Sequence, residues 1–429
     1  MRVGSGLARD GAAWFLKHWR GVRLAVIVTI GLFATRANAD ATLPAPLRLV
    51  DAIAIARQQR AEIAAAGARA TAARARPAIV SALDDPTVSP SIDHLPFMLH
   101  GADVSLVVEQ QFPLSGIRGH RRRAAQAEAR GWAAAADRVR LDVELEAVSA
   151  FVMLREERQM AAIIAEQQAL ARELIAAATA RYGAGKGTQA EVLRAEIEVA
   201  RLAGEVTANI AEVRAAEAML NTSLGRAPEL AVPALADGAT DEPPAMDLAV
   251  TTALDRRPEL QMGEAEVERS RAEIAVMKDM YKPMAMVRTG PSYTMSDGAG
   301  WMVMVGVSIP LWRGKLRAQV AESRAMAAMA DHDLVAMRRM VTGDVVVARE
   351  LVLAARARWL ALRDEVVPRA RAAIEPTVSA YATGQLPLVS VLEAAQVLWS
   401  SQMELAAAER ALGLASARLA RATAQGGSP

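Results

Sequence analysis

From Trp301 to Leu311 the chain alternates by twos. Trp301, Val303, Val305, Val307, Ile309 and Leu311 fall on one side, and Met302, Met304, Gly306 and Ser308 on the other. A period of two marks a strand with two unlike faces. Val104, Leu106, Val108 and Phe112 oppose Asp103, Ser105, Glu109 and Gln111 in the same way, and Val88 and Ile92 oppose Thr87, Ser89, Ser91 and Asp93. Strands are therefore expected near 86–95, 102–113, 284–295 and 301–311. Elsewhere the period lengthens. Leu141, Leu145, Val148 and Val152 follow the spacing of one helix face. Helices are expected at about 47–76, 117–182, 188–223, 247–281, 315–382 and 387–422.

The helix at 117–182 would run roughly 100 Å at about 1.5 Å per residue. An isolated helix of that length needs packing partners along it. The shorter helices 47–76 and 188–223 together match its length, so stacked end to end they supply one partner rod. The second half repeats the same sum.

The order helix, strand, strand, long helix, helix occurs twice. Arg60-Ala61-Glu62-Ile63 returns as Arg257-Pro258-Glu259-Leu260, and Phe112-Pro113-Leu114 as Ile309-Pro310-Leu311, each 197 residues on. Tyr182 and Gly185 return as Tyr381 and Gly384, 199 residues on. Landmarks held in step over this distance imply a duplicated, pseudo-symmetric architecture. The halves are 40–226 and 247–424. A connector rich in Pro, Gly and acids covers 227–246, and a disordered tail is expected at 425–429.

Composition narrows the class. Aromatic residues make up only 4% and alanine is abundant, which suits long helices packed side by side rather than a compact aromatic core. A net charge of +2 gives nucleic acid no footing, and the lack of cysteine excludes disulfides, thiolate metal sites and cysteine nucleophiles. Lys17, Arg20 and Arg23, the apolar run Leu24 to Phe33, and Ala37-Asn38-Ala39 read as an export signal over 1–39. No later run reaches the ~18 apolar residues a spanning helix needs, so any membrane span must be built from strands.

Strands of this length with one greasy and one polar face suit a transmembrane barrel. Four cannot close one, because the smallest has about eight. Either the sheet packs on something else, or several copies share one barrel; three copies would give twelve strands. Trp301 and Tyr293 would then sit at a lipid–water interface, and Leu95–Gly101 and Ser296–Gly300 would be the outer loops.

Three features together make the chain resemble the TolC-type outer-membrane efflux family over about 47–424. They are Arg256-Arg257-Pro258-Glu259-Leu260, the strand-to-helix segment Val307 to Gly314, and the paired Tyr-x-x-Gly hairpins. The resemblance implies a mainly α chain with membrane β. Its duplicated halves give four strands per chain to a trimeric 12-stranded β-barrel, continued by a 12-helix α-barrel. It implies a homotrimer set in outer-membrane lipid of a Gram-negative bacterium, with a periplasmic extension docked to a periplasmic adaptor and an inner-membrane RND-type pump. It places Tyr182, Gly185, Tyr381 and Gly384 at hairpin tips that contact the adaptor. Tyr381, Ser390 and Glu393 fall at the periplasmic gate, and Leu386 stands at the family's gating-arginine position.

Asp84-Asp85-Pro86-Thr87 and His94-Leu95-Pro96 resemble the heavy-metal subgroup, so heavy-metal cations are the expected cargo. A drug-efflux or type I secretion outlet is the alternative, and a periplasmic coiled-coil adaptor a third reading. Met284, Met286, Met302 and Met304 share the inner side by alternation. Thioethers suit soft cations, although methionine also fills space without binding anything. No Gly-rich phosphate loop, HExxH or Ser/His/Asp cluster is present, so neither an enzyme nor a cofactor is expected.

Overall fold

The computed structural model describes residues 42–93, 103–236, 242–294 and 297–426. The expected export signal, His94 and His100, the loop Leu95–Gly101, Met295, Ser296 and the tail 427–429 lie outside these residues. Everything from Leu43 onward forms one unit.

In chain order the elements are α1 (Leu49–Gln59), α2 (Ala61–Val80), β1 (Thr87–Asp93), β2 (Asp103–Pro113), α3 (Ile117–Gly183) and α4 (Gln189–Ser223). The order then repeats as α5 (Met246–Arg256), α6 (Pro258–Asp279), β3 (Met284–Thr294), β4 (Gly298–Ser308), α7 (Arg313–Ala361), a π-helical turn (Leu362–Val366), α8 (Val367–Ala382) and α9 (Leu388–Ala422). Among the described residues no helix is long and apolar enough to cross a membrane.

Two expected helices are broken. The stretch read as 47–76 divides at Arg60, and that read as 247–281 divides at Arg257; both residues are extended, with ψ of 119° and 121°. At Arg257 the cause is Pro258, which drives the preceding residue out of the helical region and starts α6. At Arg60 the cause is a charge fork. Its guanidinium donates to Glu62 (2.9 and 3.0 Å), to Glu146 on α3 (2.9 and 3.0 Å) and to the Ser223 carbonyl at the end of α4 (3.1 Å). Arg257 likewise donates to Asp344 on α7 at 2.9 Å.

These breaks are where the stacked helices meet. The 67-residue α3, about 100 Å long, is flanked by α1 and α2 along one stretch and by α4 along the rest. Gly225 turns the chain out of α4 at φ +76°, and a Cβ there would sit 3.1 Å from the Gln59 carbonyl oxygen. Phe151, Leu154, Leu220 and Leu224 fill the joint, each fully buried side chain contributing about 1.5–3 kcal/mol. The second half repeats the stack with α5, α6 and α9 along α7 and α8. The halves interlock through α3, which packs on both α6 and α9, and Arg421 ties them by donating to Asp142 (2.7 Å) and Glu259 (2.5 Å).

The π-helical turn has a bookkeeping origin. Glu146 and Asp344, the matched partners of the two arginines, are 198 residues apart, whereas Tyr182 and Tyr381 are 199 apart. One extra residue therefore enters the second half between these points, and a single wide turn absorbs it without breaking the helix.

The first part of the connector, 227–236, is pinned to the helices. Leu47 pairs with Leu235 in a parallel bridge, and the buried Asn221 amide donates to the Pro228 and Leu230 carbonyls at 3.2 and 2.6 Å.

Candidate functional site

The four strands form one antiparallel sheet in the order β1-β2-β3-β4. β4 runs from Gly298 to Ser308, earlier than the expected 301–311. Gly298, at φ +77°, opens it within what was expected to be loop, and Pro310, without an N–H, cannot extend the ladder.

Register makes the two faces coherent across the sheet. Val88, Val108, Thr289 and Val303 lie in one row, and Gln110, Val287 and Val305 in another; Phe112, Ala285 and Val307 form a third. Val88, Val108, Phe112, Val303, Val305 and Val307 on this face are all exposed, Val305 by 70%. Trp301 stands on the same face and donates its indole N–H to Thr289 Oγ1 at 2.7 Å. On the opposite face Thr87, Glu109, Arg288 and Met304 share a row, and Arg288 pairs with Glu109 at 2.7 Å. Met284, Met286, Met302 and Met304 fall on this polar side, as the alternation predicts. Gly290 permits the β2–β3 approach, because a Cβ there would drive into the Leu106 carbonyl. Among the described residues β1 and β4 each have a neighbour on one side only, so both sheet edges are unpaired there.

At the far ends of the long helices are the two hairpin tips. Gly185 and Gly384 turn the chain at φ +69° and +83°, the left-handed geometry that glycine supplies after a helix. The closing bonds match: Lys186 N–H donates to the Arg181 carbonyl and Gln385 N–H to the Ala380 carbonyl, both at 2.8 Å.

Their surroundings do not match. Tyr182 is 50% exposed, whereas Tyr381 is 1% exposed and packs with Leu174, Ala195, Leu388 and Val391. Burial pushes the Tyr381 phenol up, with Glu191 adding and Arg181 opposing. The first hairpin restarts with a capping box, Thr188 and Glu191 each accepting from the other's backbone N–H; the second restarts at Pro387, with no side-chain cap.

Arg181 joins the two hairpins. It donates to the Tyr381 carbonyl at 2.6 Å and the Lys186 carbonyl at 3.1 Å, and its guanidinium lies 4.8 Å from the Tyr381 ring centre. Sequence reasoning passed over this residue. The available signal was a difference between the repeats, since Ala380 occupies the matching position. Leu386 and Glu393 are exposed and Ser390 is half-buried. Among the described residues Glu393 forms no ion pair.

The class follows from this arrangement: duplicated helical hairpins carrying a four-stranded sheet with one outward apolar face make the fold of the outer-membrane channels. Two solved structures show it. The outer-membrane channel OprN superimposes with a TM-score of 0.78 at 21% identity, covering 89% of this chain and 91% of that one. CusC, solved in work on folding and transmembrane channel formation, superimposes with 0.77 at 14% identity, covering 87% and 91%. In sequence, residues 249–425 match the family model described as outer membrane efflux protein. The chain is also 27% identical over 286 residues to the outer membrane efflux protein BepC of Brucella suis; the match takes in 65% of this chain and 62% of that relative.

Proposed function

We propose that the chain is one third of a passive exit duct in the outer membrane, the terminal part of a tripartite efflux system. The observation that carries this reading is the sheet: one continuous exposed apolar face and two open edges. In lipid an open strand edge leaves backbone groups unsatisfied at several kcal/mol each. Three copies joined β1 to β4 remove every edge and make twelve strands. The apolar face then meets lipid and the Glu109–Arg288 face meets water.

In this reading the hairpin tips lie in the periplasm. Tyr182, Gly185, Tyr381 and Gly384 meet a periplasmic adaptor bound to an inner-membrane RND-type pump. Tyr381, Ser390 and Glu393 line the gate, and Arg181 holds the two hairpins of a chain together when the gate is closed.

Two cargo classes each have an observation in their favour. The four methionines on the water-facing side, each in its own row of the sheet, favour soft heavy-metal cations. A basic cavity at the foot of the sheet favours amphipathic organic molecules of the drug-efflux kind.

The test is fractionation. The protein is expected in the outer membrane as a trimer that heat or denaturant dissociates and that conducts ions in planar bilayers. A stable monomer soluble without detergent refutes the reading.

A further inference from the structure

Where the strands hand over to the helices, a cavity of about 320 Å³ opens. The strand positions that reach it, Pro113 and Met284, continue the parity of the polar face, so it lies on the Glu109–Arg288 side. Four cations line it: Arg118, Arg121, Lys282 and Lys315. Only two carboxylates oppose them, Asp84 and Asp279, and Asp279 is already paired with Lys282 at 2.8 Å. Arg118 spends its Nε–H on the Ser81 carbonyl at 2.7 Å. Among the described residues Arg121 and Lys315 have no ion-pair partner.

The helix ends add to this charge. α3 and α7, like α8 and α9, have no acid in the first turn to offset the positive end of the helix dipole, and they bring Arg118, Arg121 and Lys315 to that end. Two dipoles and three cations thus add at one place. The remaining wall is apolar, with Leu83, Met280, Leu316 and the Trp312 ring. The Asp279 side chain is 6% exposed and already engaged on both oxygens: Oδ1 pairs with Lys282 at 2.8 Å and Oδ2 lies 3.6 Å from His120 Nε2.

We propose that this cavity binds amphipathic organic anions in transit. The anionic head meets Arg121 and Lys315, and the hydrophobic body lies against Trp312 and Met280. The proposal rests on the duct reading, which makes the polar face the water-filled side.

The probe is anilinonaphthalene sulfonate, which has an anion and an apolar body. Its uncharged counterpart, phenylnaphthylamine, is the control. Fluorescence titration of the full-length protein in detergent is expected to show salt-sensitive binding of the sulfonate. Arg121→Gln and Lys315→Gln should each weaken it about tenfold, as loss of a charged contact implies, and Arg121→Lys should restore most of it. The uncharged control should be indifferent to all three changes.

Equal affinity of the double variant and the wild type, or equal binding of the uncharged control, overturns the proposal. Salt dependence on the unaltered protein decides the matter if a variant misfolds: salt-insensitive binding also overturns it. Bilayer conductance separates the two readings. A conducting trimer without charge-dependent binding removes only this site. A protein that binds the sulfonate by charge but never conducts keeps the site and removes the duct.

Discussion

Replacing Arg181 with Gln tests the joint between the hairpins. The side chain makes two charge-assisted bonds to carbonyls on different hairpins, at 2.6 and 3.1 Å, and lies over the Tyr381 ring at 4.8 Å. A hydrogen bond to a charged group contributes about 1.5–3 kcal/mol net, and a cation over an aromatic ring about 0.5–1 kcal/mol where water has access. Only the bond to Tyr381 and the ring contact cross between hairpins, so the joint is worth about 2–4 kcal/mol. At about 1.4 kcal/mol per decade, its loss shifts the closed-to-open equilibrium by roughly 30- to 700-fold per chain. Single-channel recording in planar bilayers reads this directly as open probability. Arg181→Lys keeps the charge but loses the planar fork, and should fall between wild type and Arg181→Gln. The joint lies at the tips, far from the sheet, so both variants should assemble normally. Wild-type open probability in an intact Arg181→Gln trimer would refute the assigned role.

Three further outcomes are expected. Tyr381→Phe should leave the closed state within about 0.5 kcal/mol of wild type, because its buried hydroxyl has no partner within the chain. Tyr381→Ala should cost about 3–5 kcal/mol by emptying the packed site, and thermal melting compares the two. Gly290→Ala should abolish the trimer seen on unheated semi-native gels, since its methyl would collide with the Leu106 carbonyl and part β2 from β3. Burial, the largest single influence, raises the Glu259 carboxyl, but the Arg421 hydrogen bond, a backbone N–H and the charges of Arg421 and Arg257 together outweigh it, and the net shift is downward. A depressed folded-state pKa stabilises above the unfolded value near 4.3 and loses that effect as pH falls through the folded value. Glu259→Gln should therefore lower the melting temperature at neutral pH and flatten its decline below about pH 5, as read by circular dichroism.

Period and repetition made most of the fold legible. The strand faces followed from strict alternation at Trp301 to Val307, and the stacked rods from matched lengths around α3. Arg257-Pro258 announced one helix break, since proline acts on its neighbour's backbone. The equivalent break at Arg60 was silent, because Ala61 is compatible with a helix and the cause is a charge fork reaching Glu146 and Ser223, distant in sequence. The tips show the same limit. Glycine and tyrosine spacing located both turns, but the contrast between an exposed Tyr182 and a buried Tyr381 depends on Arg181 crossing from one hairpin to the other. No local pattern encodes that crossing. A two-residue excess of the second half, 199 against 197, was countable from the landmarks; that one of the two enters as a wide helical turn at Leu362–Val366 required the coordinates.

The unlike hairpin ends have a geometric consequence. In the proposed trimer three copies present six seats around the mouth, and neighbouring seats differ: one is polar and begins at Thr188, the other is apolar and begins at Pro387. A docking ring of six identical subunits would find only every second seat the same. Such a partner must either tolerate two footprints with one surface or grip firmly at three places and loosely at the other three.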